Sequence, residues 1–249
     1  MLREIAAERV SDVIRDAFLE ANTILPDDMH DLIRRSAAAE SSALGRSVLS
    51  EILENIDLAA RERTPICQDC GMAVVFMDIG QDVHIGGGSL ESAVDEGVRR
   101  AYRDGYLRAS VVSDPLFDRK NTKDNTPAVL HVRIVPGDLV RVAVAPKGFG
   151  SENMSALAML TPAAGRDGVV RFVTETIASS GPNPCPPIVA GIGIGGDFEG
   201  VALLAKRALL RPAGVPNPDP RYAALEADIL KAANDLGIGP AGYGGSVTA

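Results

Sequence analysis

Two cysteines three positions apart, with a glutamine and an aspartate between them, are the first candidates for chemistry: Cys67-Gln68-Asp69-Cys70, in the run PICQDCG. A CxxC pair can be a redox dithiol, half of a zinc site or part of an iron–sulfur site, and one working cysteine beside an accidental neighbour is spelled the same way. Zinc held by both thiolates needs two more ligands, and the chain has neither a second CxxC nor an HxxxH. A thioredoxin-type dithiol sits between a strand and a helix, whereas this motif precedes the apolar run MAVVFMDIG. The third cysteine, Cys185, lies among Pro184, Pro186 and Pro187. Prolines fix φ and remove N–H donors, so this loop is stiff and suits a thiolate held in place for a metal; a packed cysteine in a turn is an equal alternative.

Three further loops carry unusual residues. APKGFGSEN, residues 145–153, is glycine-rich and reads as the opening of a helix over 152–160 capped by Ser151, with Lys147 and backbone amides able to hold an anion. The order Gly-Lys-Ser/Thr of a P-loop is absent. GIGIGG, residues 191–196, matches GxGxxG formally but lacks the acid about 20 residues later that a dinucleotide ribose needs. Those glycines are expected to permit close approach of neighbouring backbone instead. DRKNTKDNTPA, residues 118–128, has no chemistry that can be read from residue type alone. His30 and His131 fall in a helix and a strand and read as structural; His84 lies near a glycine loop.

The elements that must position these loops follow from periodicity. Residues 1–62 read as helical, with an amphipathic first helix through Ile5, Val10, Val13, Ile14, Phe18 and Leu19, a second started by Pro26-Asp27-Asp28, and a third over about 41–60. After Thr64 strands and helices mix. MAVVFMDIG reads as a strand, LESAVDEGVRRAYRD as a helix ended near Gly105, and AVLHVRIVPGDLVRVAVAPKG as a hairpin turning at Pro136-Gly137-Asp138. PPIVAGIGIGG reads as a strand, with helices before and after it and a last helix stopped by Gly237. The expected fold is mixed α/β of α+β character, in one domain: a helical segment over 1–62 and an α/β core over 63–249.

Composition narrows the function classes. The 249 residues are 46% hydrophobic and carry a net charge of −8, enough for a real core and too acidic overall for a nucleic-acid or anionic-membrane surface. No apolar run reaches a membrane span, and the acidic amphipathic N-terminus is unlike a signal peptide, so a cytoplasmic protein is expected. Three cysteines do not make a disulfide scaffold.

Read together, PICQDCGMAVVFMDIGQDVHI, GYLRASVVSDPL, DNTPAVLHVRIVPGD, APKGFGSENMSAL and GPNPCPPIVAGIGIGG resemble, in order, the α subunit of two-subunit class I fumarate hydratases, a group that includes the L-tartrate dehydratase α subunit. The resemblance runs from about Ile5 to Ala249. It implies an oxygen-sensitive [4Fe–4S] cluster held by cysteines, with Cys67 and Cys185 matching two of the three, and one iron left open to polarise the substrate. It makes Asp69 a candidate acid/base and Gln68 a substrate contact. It also makes Arg108 a carboxylate clamp and Gly150 a loop glycine whose backbone approaches the substrate. Two departures accompany it. The family usually has Thr at the place of Cys70. Its third cluster cysteine lies beyond the segment matching GYGGSVTA, where this sequence stops. Cys70 as a replacement ligand is the less favoured alternative to a partial sequence.

The implied activity is reversible hydration of fumarate to malate by a hydro-lyase α subunit. A β subunit would complete the site, and a dimer of αβ pairs is the implied assembly. L-Tartrate dehydration is the alternative within the enzyme class, mesaconate a further possible substrate, and a non-catalytic iron–sulfur scaffold the alternative outside it.

Overall fold

The computed structural model describes residues 2–249, and the fold is α/β. The chain packs as two compact units, each assembled from two separated segments: 1–25 with 56–149, and 26–55 with 150–249.

The first unit is organised by a short strand buried on both faces. β1 (Arg3–Ala6) leads into α1 (Ala7–Thr23); the end of α3 (Ala43–Glu62) is followed by β2 (Met72–Gly80), β3 (Val83–Gly86), α4 (Leu90–Asp104), β4 (Val129–Val135) and β5 (Val140–Lys147). In β2, residues 73–77 are all buried, so the strand tolerates only a central position. It lies between β4, parallel to it, and β5, antiparallel to it, with Val75 opposite Leu130 on one side and Val144 on the other.

This corrects the expected hairpin. β4 and β5 form, and the chain turns between them, but they do not pair with each other because β2 occupies the space between them. The end of β2 enters the turn: the amides of Gly80, Gln81 and Asp82 donate to the carbonyls of Leu139, Val135 and Gly137. Gly80 is required there, since a Cβ would stand 2.3 Å from the Gly137 carbonyl oxygen.

The N-terminus is a second correction. Residues 3–6 are not the start of a helix; they pair in parallel with β3, Ile5 opposite Ile85, because a strand partner outweighs a weak local helix preference. From Ala7 onward the helical period holds. Val10, Ile14 and Phe18, four apart, are buried on one face of α1 and share a core with Val94, Val98 and Ala101 of α4. Burying a side chain such as Phe18 or Ile14 completely, as here, stabilises by roughly 1.5–3 kcal/mol. Ser11 Oγ donates to Ala93 O at 2.7 Å, and the pairs Arg15–Asp104 and Arg100–Asp12 flank the seam. Ser89 caps α4 and Gly105 ends it.

The second unit contains α2 (Asp27–Ala39), the first part of α3, α5 (Phe149–Glu152, which starts one residue earlier), α6 (Gly165–Ser180), α7 (Phe198–Ala208) and α8 (Pro220–Asn234). α6 and α8 pack through Val173, Ile177, Ile229 and Ala233. Two expected elements are absent among the described residues. The Ser151-capped helix shrinks to the single turn α5, with residues 155–160 lacking regular structure beyond it. Residues 186–196 run without a strand partner. They back onto α7 instead, as the glycines foretold: a Cβ on Gly191 or Gly193 would lie 2.3 or 2.4 Å from Ala205 O or Val201 O. No helix among the described residues is long and apolar enough to cross a membrane.

Candidate active site

Residues 66–71 form an irregular loop entering β2, and each side chain in it has a different task. Ile66 N donates to Asn22 O at 2.9 Å, fastening the loop to the end of α1. Cys67 is half-buried; its thiol donates to Gln68 Oε1 at 3.2 Å, and its sulfur receives the Asp69 amide at 3.4 Å. Gln68 is exposed. The Asp69 carboxylate is held by backbone: Gly71 N donates to Oδ1 at 3.1 Å and Phe149 N to Oδ2 at 2.7 Å. An amide of the glycine-rich loop therefore holds a carboxylate of this chain.

Cys70 faces the other way. It is 3% exposed, and its sulfur receives the Arg108 amide at 3.2 Å while its thiol reaches Cys67 O at 3.8 Å. Burial pushes the thiol above its ordinary range despite the Arg108 amide, so it stays protonated at neutral pH. A threonine hydroxyl would make the same accept-and-donate pair.

The loop is anchored from below by neutral groups. Tyr102 OH donates to Cys70 O at 2.7 Å and lies 3.1 Å from Gly71 O; burial raises this phenol far above its ordinary value. Asn125, wholly buried, donates from Nδ2 to Gly71 O at 3.0 Å. Arg108 is exposed, and its backbone sits on Cys70. Cys67, Gln68, Asp69, Cys70 and the Arg108 backbone thus form one hydrogen-bonded assembly in the first unit.

The other two residues singled out from the sequence lie in the second unit. Gly150 adjoins Asn183: a Cβ on it would stand 2.9 Å from Asn183 O. Cys185, two residues further, is exposed while Pro184 is buried. Glu152, next to this loop, pairs with Lys206 of α7. Three residues after Cys185, Ile188 N donates to Thr248 O at 3.0 Å. His131 stacks on Phe76 at 5.0 Å, and His84 lies in β3 paired with Glu4.

The family model for fumarate hydratase (fumerase) matches residues 11–249. This chain belongs to the fumarate hydratase family. Among curated proteins it is 40% identical over 97% of its length, and 86% of the other chain, to "Putative L(+)-tartrate dehydratase subunit alpha" of Methanocaldococcus jannaschii. It is 32% identical over 98% of its length, and 81% of the other chain, to the L(+)-tartrate dehydratase subunit alpha of Escherichia coli K12.

The iron–sulfur chemistry associated with the fumarate hydratase family can be tested on the donor set. Cys67 offers a soft, half-buried sulfur that already receives a backbone amide, the arrangement that stabilises a thiolate in such clusters. Cys185 offers an exposed one on a proline-stiffened loop. Cys70, by contrast, is spent on holding Arg108 and the loop. No group of three or more Cys, His, Asp or Glu side chains converges among the described residues. The two accessible cysteines fit a cluster chemically, as a partial ligand set.

Sequence reasoning missed two groups in this fumarate hydratase family member that shape the site loops, Asn125 and Glu40. Asn125 sat in a quoted motif without a role. Glu40, between two helices, carried no signal: an acid in a polar stretch reads as solvated. It is 2% exposed, and its carboxylate accepts from the amides of Ser42, Ser246 and Val247 at 2.7–2.8 Å.

Proposed function

We propose that this chain is the α-type subunit of an iron–sulfur hydro-lyase acting on a four-carbon dicarboxylic acid, completed by a β-type partner. The observation that carries the reading is the Asp69 carboxylate, fixed by two backbone amides beside Cys67 and in one assembly with the Arg108 segment. Cys67 and Cys185 would hold a [4Fe–4S] cluster. When bound, it supplies an open iron that polarises the hydroxyl leaving or entering the substrate, with no net redox change.

The chain's own residues do the rest. The Arg108 guanidinium takes a substrate carboxylate in a bidentate grip. Gln68 orients the bound acid through its exposed amide, and the Gly150 backbone lies against it. Asp69 removes the proton from the carbon next to a carboxylate in the dehydration direction and returns it in hydration; the amides of Gly71 and Phe149 keep its carboxylate in one orientation. In dehydration the C–H and C–O bonds break, a carbon–carbon double bond forms, and water departs.

The names of the relatives favour L(+)-tartrate as substrate, and the family description favours fumarate as the second reading. The phrase "subunit alpha" in those names supports a partner chain. The test is anaerobic. The chain is co-expressed with its partner, iron and sulfide are supplied, and tartrate, fumarate and mesaconate are offered separately while alkene or keto-acid absorbance is followed. Turnover of tartrate above fumarate is expected. No turnover of any of the three by a cluster-loaded complex would falsify the hydro-lyase reading and leave the non-catalytic scaffold.

A further inference from the structure

We propose that Asn125 is a positioning residue that sets Arg108 against the Asp69 loop; the substrate-binding part of this claim rests on the hydro-lyase reading. Asn125 has no exposed surface and makes three hydrogen bonds to two loops distant in sequence. Its Oδ1 accepts from Ser110 N at 2.8 Å and Val111 N at 3.1 Å; its Nδ2 donates to Gly71 O at 3.0 Å. Ser110 lies two residues after Arg108 and Gly71 two residues after Asp69. Neither loop has regular structure of its own, so the distance between the guanidinium and the carboxylate is set by what ties the loops together.

Only an asparagine meets the demands of this position. Two converging amides require an acceptor and a carbonyl requires a donor, on one short planar group; the opposite amide orientation would face N–H against N–H. The backbone has φ of 60°, a left-handed conformation that asparagine tolerates far better than branched residues.

The brace is itself rigid. Asn121 Nδ2 donates to Ala109 O, Thr122 N to Val111 O and Ser113 N to Lys120 O, so the loop carrying Asn125 runs beside the Arg108 segment. Arg99 pairs with Asp124, and Asp95 accepts from Ala128 N, fixing the same loop to α4. Leu107 N on Tyr102 O and Arg108 N on Cys70 Sγ hold the near side of the Arg108 segment, and Asn125 is the side chain that joins its far side to Gly71.

A purely structural asparagine would stabilise the fold and affect all ligand chemistry alike; a positioning one acts through Arg108. The test is a double-mutant cycle on the cluster-loaded complex with its partner subunit, using succinate, an unreactive four-carbon dicarboxylate, in anaerobic equilibrium binding. Asn125→Gly keeps the backbone conformation and removes all three hydrogen bonds. It is expected to weaken succinate about tenfold, the scale of one or two lost hydrogen bonds, and to raise KM more than it lowers kcat. In an Arg108→Ala background the same substitution is expected to cost nothing further. Equal weakening in both backgrounds, or none in the single variant, overturns the proposal. If Asn125→Gly does not fold, Asn125→Asp, which keeps the acceptor pair but loses the donor to Gly71 O, must show a loss that also vanishes with Arg108→Ala. Failure of wild type to bind succinate overturns the role of Arg108 and the positioning claim together. Succinate binding with the predicted coupling but no turnover of any substrate would sink the hydro-lyase reading alone.

Discussion

The loops that carry Cys67 and Cys185 are built on opposite principles. The first is anchored from below by neutral, buried hydrogen-bonding groups, the Tyr102 hydroxyl, the Asn125 amide and the Cys70 thiol, and its one carboxylate, Asp69, is only half-buried. The second leans on the segment 239–248, through Ile188 N on Thr248 O, and that segment is held by Asn234 and by an ionised carboxylate, Glu40. Burial alone would raise the Glu40 pKa, but the amides of Ser42, Ser246 and Val247 and the Ser246 hydroxyl outweigh it and leave the group below its ordinary 4.5. The Glu40-held scaffold should therefore loosen in mild acid more than the neutral anchors of the first loop.

The comparison can be broken first at the chemistry. Asp69→Asn keeps the Tyr102, Asn125 and Cys70 anchors, gives up one of the two amide bonds to the carboxylate and removes the proposed acid/base. Turnover should fall by about 10²-fold or more, with the unfolding midpoint little changed; retention of near-wild-type turnover would remove Asp69 from the mechanism.

Glu40→Ala comes next. It strands three amides, that of Val247 buried, and a loss of about 2–3 kcal/mol is expected from chemical denaturation. The same residue sharpens the contrast through pH. A folded pKa below the ordinary value means that the stabilisation is fully present above 4.5 and is lost as pH falls through the lower folded value. Between about pH 6 and about pH 3, amide exchange at Ser246 and Val247, corrected for intrinsic rates, should gain on that at Ser110 and Val111, which donate to the neutral Asn125 amide, and Glu40→Gln should flatten the trend. Equal acid sensitivity of both loops would erase the distinction.

The smallest effect belongs to a single neutral anchor. Tyr102→Phe removes the hydroxyl on Cys70 O and Gly71 O at little change in volume, with an expected loss of about 1–2 kcal/mol that does not vary between neutral and mildly acid pH. A pH-dependent loss would mean that a charged group shares the anchor.

Much of this was legible in the sequence where the signal is local. The helical period of Val10, Ile14 and Phe18, the apolar run of β2, and the stop at Gly105 all depend on neighbours in the chain. Pairing is not local. The turn at Pro136-Gly137-Asp138 has hairpin composition, yet a strand from fifty residues earlier fills the gap. Residues 186–196 have strand composition but meet a helix instead of a ladder. The site divides in the same way. The residues proposed for chemistry, Cys67, Asp69 and Arg108, stand in motifs. Asn125 and Glu40 are conspicuous only because of burial, and apart from Ser42 the amides that meet them lie 14 to 207 positions away.

Cys67 and Cys185 are proposed as cluster ligands and Cys70 as part of the scaffold. The most direct measurement is iron and sulfide content, with the cluster's electron paramagnetic resonance signal after one-electron oxidation or reduction, in anaerobically prepared complexes of Cys67→Ser, Cys185→Ser and Cys70→Ser. Loss of the wild-type signal and content is expected in the first two, and retention of both in the third. A cluster that survives in either of the first two variants, or is lost from a folded Cys70→Ser complex, would contradict that division of the three cysteines.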